Sequence, residues 1–389
     1  MVFDLIGLTP QWIVATRKRV NATTGVPTQN QMYACTHTHG GPATGVLLSS
    51  NGVNANYMES LARQAESAAQ EALNNRVPAE LRLSEGSSNA GGNRRSAEMN
   101  PSGPHDGDID QIDQTVTVAQ VHEIDGPPLV TIVNYGCHPT SITDCVYTAD
   151  YPGILRTSIE EKTGAPCIYI NGAGGDVNLR FTNPHQRGLA VARTHGVALA
   201  HEALRALGAG CRSTTTKVAA SCKTASLIYA DRISPQEARR IRADGQRMLT
   251  TVRTLGERRR AQEMMIGYAD VVLATYQNRQ WAPHLPVQIQ TIRIGDLAII
   301  AMPVELFAAD GRALRAASPA PTTMVAGWTN GCWGYMPTRA AWTRGGYETI
   351  AFNWYGQPAA FHPRSGDNLR TAARATTEQV FTASRTNSC

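Results

Sequence analysis

Met32-Tyr33-Ala34-Cys35-Thr36-His37-Thr38-His39-Gly40-Gly41-Pro42 joins a short apolar run to two histidines and a glycine-glycine-proline breaker. A run of that length reads as a buried strand, and the breaker ends it. Side chains alternate along a strand, so His37 and His39 are expected to point the same way at its end. Two imidazoles converging beside a loop suit a metal centre or an acid–base site.

The chain on either side reads as alternating strands and helices. Val2 to Gly7 has the pattern of a strand, and Gln11 to Thr23 has helical spacing. Asn54 is placed to cap a long helix that runs to about Asn75. Leu81 and Leu83 mark a strand, and Gly86 to Gly107 is a polar, glycine-rich loop carrying Asn93-Arg94-Arg95-Ser96. Val116 to Val121 and Leu129 to Asn134 form a hairpin about Asp125-Gly126-Pro127-Pro128. A helix follows from Tyr151 to about Lys162.

Cys167 to Ile170 is a buried strand that leads into Asn171-Gly172-Ala173-Gly174-Gly175-Asp176-Val177-Asn178. So many small residues imply that another element approaches that backbone closely. Gly188 to Leu207 is helical and Thr214 to Tyr229 is extended. Residues 234–278 read as a helical insertion, with Ser234 and Glu237 expected to form a capping box. Val287 to Ile294 and Leu297 to Met302 form a second hairpin, Met324 to Ala326 a strand, and a last helix runs from Asp367 to about Ser384. The fold class is α/β, with a mixed, twisted central sheet flanked by helices.

Composition narrows the function classes. The 389 residues are 42% hydrophobic and 17% charged, with a net charge of +5, which describes a folded globular chain. The basic residues around Arg239, Arg240, Arg242 and Arg258 to Arg260 read as a solvated helix face, and no nucleic-acid partner is expected. No run approaches ~18 apolar residues, so no transmembrane segment is expected. Met1 to Ile13 lacks a basic lead and a cleavage site, so the expected location is cytoplasmic, with secretion left open if the N-terminus is truncated. Eight cysteines in this length do not make a disulfide framework. Cys35, Cys137 and Cys332 read as small buried hydrophobes, while Cys211 and Cys222 leave a disulfide open.

Several polar residues fall just past predicted strand ends, where α/β proteins build their sites: His37, His39, His138, Asp176, Glu305 and Tyr335. Two histidines with one glutamate have the composition of a catalytic zinc site with an open position. Zinc there would lower the pKa of a water and polarise a carbonyl. Asp176 stands open as an orienter of a ligand histidine or as a cap on its own loop.

The motifs resemble those of the neutral ceramidase family, zinc-dependent amidases that cleave N-acyl sphingosine. Thr36 to Pro42 is similar to the family's THTHSGP, and Asn134 to Ser141 to its NW-x-x-HPTS segment. Asp150-Tyr151-Pro152-Gly153 resembles its DYPG, Asn171 to Val177 its NAAGDV, and Pro303 to Phe307 its PGE motif. Asn330 to Thr338 with Gly345-Gly346-Tyr347-Glu348 is similar to NxYxGYxTT…YE, and Asn93-Arg94 to the start of NRS. The resemblance implies Zn2+ held by His37, His138, Glu305 and Tyr335, with His39, Arg94 and Tyr347 around the scissile carbonyl and Asp176 as a further site residue. Asn178 stands where the family has serine.

The resulting expectation is a single zinc amidase catalytic domain over 1–389, without the family's C-terminal immunoglobulin-like domain. Its substrate would be a lipid or small-molecule N-acyl compound, with homo-oligomerisation left open. Alternatives are an amidase or amide-forming enzyme on a small non-lipid metabolite, or a non-catalytic binding protein that keeps the fold. A (β/α)8 barrel also carries H-x-H on a strand, but the two hairpins argue against it.

Overall fold

Alternation along Thr115–Glu123 and Pro128–Tyr135 sorts the core into two sides. Val116, Val118, Val133 and Tyr135 face one way with Tyr169, while Ala119, Ile132, Ile168 and Ile170 face the other. The period of two assigns alternate residues to opposite faces, so both faces of this sheet are buried. In the computed structural model, which describes residues 1–48, 52–96, 99, 112–142, 145–180, 187–278 and 281–382, the sheet has five strands. Their spatial order is Cys167–Asn171, Pro128–Tyr135, Thr115–Glu123, Ala79–Ser87, Cys211–Arg212. A second sheet of four strands orders Val218–Ile228, His284–Ile294, Leu297–Ala301, Thr322–Ala326.

Both sheets mix parallel and antiparallel pairs. They share one apolar layer, in which Leu83, Ala119 and Ile170 meet Leu297, Ile299, Met324 and Ala326. Asn134 bridges the same layer, donating from Nδ2 to the carbonyl of Val325 at 3.1 Å. Outside the first sheet lie helices Asp150–Thr163 and Leu189–Leu207, whose Tyr151, Leu155, Ile159 and Leu199 cover Val118 and Val133. Outside the second lies helix Arg364–Thr382, whose Leu369 and Ala373 pack with Ile289, Ile300 and Val325. The strands expected in one central sheet are thus divided between two stacked sheets, and helices flank the pair.

Local signals explain the helix ends. Thr9 accepts from the Trp12 N–H ahead of Pro10–Thr24, and Gly25 closes that helix at φ 70. Asn54 caps Ala55–Asn74 by accepting from the Tyr57 N–H at 3.1 Å. Ser234 likewise accepts from the Glu237 N–H, but the expected capping box is not closed. The Glu237 carboxylate turns outward to Arg240 instead, and the box forms at Thr254 and Glu257. Helices Pro235–Leu249, Leu255–Arg259 and Tyr268–Gln277, the last two joined by the π-helical turn Arg260–Gly267, double back on themselves, with Gly245 against Met265 and Ile266. The basic face pairs along and across this hairpin, Arg247 with Asp244 and Arg242 with Asp270, in exposed contacts.

Two terminal strands are shorter than expected. Val2–Phe3 pairs in parallel with Ala34–Cys35, and both stop there. Part of the expected loop from Gly86 is strand: Ala79–Ser87 extends through its start, and Gly91–Asn93 pairs with Val177–Leu179. The rest of it, apart from 88–90, 94–96 and 99, lies outside the described residues. Cys211 and Cys222 are free thiols. Among the described residues no helix is long and apolar enough to cross a membrane.

Candidate metal centre

The site forms where strands from both sheets end, and short extra pairings bring their ends together. Glu305–Leu306 pairs in parallel with Tyr335–Met336, which puts Glu305 beside Tyr335. Glu305 sits in this two-residue strand, fully buried, and the helix begins at Ala308. His138 follows the strand Pro128–Tyr135. Its segment is tied down by Asp150, which accepts from the Ile142 N–H at 2.8 Å and from the Ser141 hydroxyl.

His37 converges on this point by a route other than strand alternation. The strand has already ended at Cys35, and His37 has φ 66. That left-handed turn aims its ring inward, while His39 remains exposed at the mouth, 5.1 Å away between ring centroids. Trp328 (φ 48) stacks on His37 at 4.4 Å, and Asn330 (φ 63) follows it. Three non-glycine residues with positive φ around one site are backbone strain that the fold sustains locally.

The donor atoms of His37, His138 and Glu305 lie within 4.8 Å of one another, all three side chains buried. Glu305 Oε2 is 2.9 Å from His138 Nε2 and 3.4 Å from His37 Nε2. The Tyr335 hydroxyl is 3.3 Å from His138 Nε2. Each histidine also places Nδ1 against a carbonyl, His37 on Ile6 at 2.6 Å and His138 on Gly174 at 2.7 Å. A carbonyl only accepts, so each ring carries a proton on Nδ1 and turns Nε2 to the carboxylate. Desolvation, helped by the Arg94 charge, holds His138 neutral, its pKa down to about 4. Lone pairs converging on a carboxylate oxygen repel unless a cation lies among them. This donor set fits a divalent metal such as zinc.

Three residues line the approach. Arg94 donates from Nε to Glu348 at 2.8 Å and from a terminal nitrogen to the Gly175 carbonyl at 2.8 Å. Its guanidinium lies 5.1 Å and 5.5 Å from the Tyr335 and Tyr347 ring centroids. Tyr347 opens a short helix and is 47% exposed. Burial by the surrounding walls, then His37 and His138, keep His39 below the ordinary imidazole range, although its outer edge meets solvent.

Among the described residues Asp176 is hydrogen-bonded to neither His37 nor His138. Its carboxylate accepts from Asn93 Nδ2 at 2.9 Å and from the Ala308 N–H at 2.8 Å, and its carbonyl accepts from the Arg94 N–H. Burial raises it to about 6 against the pull of the Ala308 N–H. Of the two readings left open for it, orienting a histidine is met by backbone carbonyls, Ile6 for His37 and Gly174 for His138. Asp176 instead fixes the loop that carries Arg94 to the helix that follows Glu305.

Glu348, Trp328 and Tyr355 complete the site without having been singled out for a role in it. Two adjacent arginines at 94 and 95 called for a carboxylate, and Glu348 beside Tyr347 was the candidate to read. Neither Trp328 nor Tyr355 carries a comparable sequence signal.

The glycine-rich loop meets the close approach its composition implied. A Cβ on Gly175 would lie 2.4 Å from the Glu305 carbonyl oxygen, and one on Gly174 would lie 2.6 Å from the Cys137 nitrogen. Backbone on the far side cannot swing away as a side chain can. Gly175→Ala should therefore destabilise the fold by about 3 kcal/mol, the upper part of the overpacking range, and weaken metal binding by displacing Glu305. Urea denaturation with metal titration checks this; wild-type values in both would show that the two strands separate at little cost.

No family model and no curated protein matches the sequence. Solved structures do match. The neutral ceramidase from Pseudomonas aeruginosa superposes with TM-score 0.72 at 17% identity, covering 97% of this chain and 66% of that one. A ceramidase complexed with C2 superposes with TM-score 0.73 at 18% identity, covering 99% and 67%. The chain thus spans about two thirds of the length of those structures. Identity this low bears on the fold alone, and nearly every residue of the chain takes part in the likeness: this is a neutral-ceramidase-like fold.

Proposed function

We propose that the protein is a zinc-dependent hydrolase of a linear amide bond in an N-acyl substrate, with the catalytic machinery in one domain spanning 1–389. The observation that carries this reading is the buried His37–His138–Glu305 trio, both Nδ1 atoms anchored on carbonyls, lying beneath Arg94, His39 and Tyr347. His37, His138, Glu305 and Tyr335 would hold the ion. Bound zinc supplies Lewis acidity, polarising the amide carbonyl and lowering the pKa of the attacking water.

The chain's own residues do the rest. Arg94, fixed by Glu348 and Gly175, presents a permanent cation to the developing oxyanion. Tyr347 stands over Arg94 at the mouth and offers its hydroxyl to the same oxygen. His39, an imidazole exposed at the mouth, would take a proton from the attacking water and deliver it to the departing amine nitrogen. Gly40, the next residue, borders a groove of about 530 Å³ lined by Gly41, Pro42, Tyr57, Tyr147 and Thr148. Its largely apolar wall supports an acyl chain as the part of the substrate bound there.

Mass-spectrometric screening of N-acyl substrates, ceramides and small N-acyl amines together, tests the reading. The zinc-loaded protein should release a carboxylate and an amine from at least one class, lose that activity on chelation and regain it with zinc. Protein that takes up no stoichiometric zinc and cleaves nothing would sink it in favour of a binding protein.

A further inference from the structure

We propose that Tyr355 is a positioning residue for this metal centre, holding Glu305 so that a single carboxylate oxygen faces the ion. The inference rests on the metal site of the preceding section. Glu305 is fully buried, and its two oxygens are engaged differently. Oε2 faces the Nε2 atoms of His138 and His37, while Oε1 accepts the Tyr355 hydroxyl. A phenol donating to Oε1 competes with a two-oxygen binding mode and favours Oε2 as the oxygen presented to the ion. It also fixes rotation of the carboxylate about its last torsion, which is otherwise soft.

Tyr355 lies 50 residues from Glu305 in the chain, and the fold holds it from three directions. It ends the 3-10 helix Ala351–Tyr355, whose Trp354 carbonyl accepts from the Leu48 N–H at 2.7 Å. The helical hairpin of 235–277 grips the same segment: Asn353 Nδ2 donates to the Met264 carbonyl at 3.4 Å, and the Arg259 guanidinium lies 5.6 Å from Trp354. The phenol ring itself rests on Gly334 (φ +100), where a Cβ would come 3.0 Å from Tyr355 Cδ2. The Gly334 carbonyl in turn accepts from the Glu305 N–H at 2.9 Å. Ring and hydroxyl therefore seat on the same short strand pair that carries Glu305 and Tyr335.

A residue that only fills space would serve as well without its hydroxyl. The test compares Tyr355→Phe and Tyr355→Leu with wild type by competing each full-length protein against a chromophoric chelator for zinc. Positioning predicts that Phe weakens zinc about 10- to 100-fold, nearly as much as Leu, with the metal-free melting temperature of the Phe variant unchanged. Packing predicts that Phe binds zinc within about twofold of wild type and that only Leu is weakened, and that result overturns the proposal. His37→Ala, run alongside, separates the two levels. If it keeps zinc, the metal site itself is misassigned; if it loses zinc while Phe keeps it, only the part given to Tyr355 falls.

Discussion

His37→Ala should abolish both zinc binding and hydrolysis, whereas His39→Ala should keep one zinc per chain and lose turnover about 10²- to 10⁴-fold. The two histidines are separated by one residue, yet the structure gives them different surroundings. His37 is buried, stacked on Trp328 at 4.4 Å, with Nδ1 fixed by Ile6 and Nε2 turned to Glu305. Its loss removes a donor from the centre itself, which costs more than the roughly 100-fold that a lost outer partner can cost. His39 lies outside the converging trio, 6.5 Å from the His138 ring, with an edge in solvent. Metal analysis on both variants decides the assignment. Zinc retained in the first, or lost in the second, would reverse the split. His122→Ala is the control and should match wild type, because among the described residues that ring bonds within the hairpin, to Gln120 and the Gly126 carbonyl.

Glu348→Ala should lower stability by roughly 3–5 kcal/mol, the cost of breaking a buried ion pair from one side. Its two oxygens are divided between Arg94 Nε at 2.8 Å and an Arg95 terminal nitrogen at 2.6 Å, and it is buried with Arg95. Alanine withdraws that counter-charge from two guanidiniums at once and frees Arg94 to shift from the approach to the metal, so turnover should fall too. Glu348→Gln keeps the shape and should cost less. The pH dependence gives a second signature. Burial would raise the Glu348 carboxyl, but Arg94 and then Arg95 outweigh it and leave it below the ordinary value of 4.5. A depressed carboxylate contributes stability that is fully present above that ordinary value and is lost as pH falls through the lowered one. The wild type should therefore lose part of its stability over that acid window while Glu348→Ala lacks that slope. Equal denaturation midpoints at neutral pH would show that the arginines find other acceptors.

Much of the site was legible because its residues are chemically singular and follow apolar runs. His37, His138 and Glu305 each come within a few residues of a predicted strand end, and the tertiary structure does bring them together. The capping residues Asn54 and Ser234 were equally readable, since an Asx or serine side chain serves the N–H groups nearest to it in sequence. What was not legible was which of several partners a polar side chain takes. Asp176 was open to orienting a histidine because it is an acid near the site, but Asn93 and Ala308 reach it first. Glu237 was expected to reach back to its own cap and finds Arg240 instead.

The sequence by itself determined the α/β class, the order of the elements, the small-residue loop at 171–178 and the two histidines and glutamate that meet past the strand ends. Those follow from local periodicity and from side-chain chemistry, which need no knowledge of what lies across the fold. Only the tertiary structure decided that the strands divide between two stacked sheets, because alternation marks both faces of a buried strand as apolar without saying what covers them. Only it gave His37 and His39 different surroundings, through a positive φ that a histidine holds because Trp328, Ile6 and Glu305 surround it. Only it brought Tyr355 to Glu305 across 50 residues of chain, since a contact of that span is fixed by packing and leaves no periodic trace.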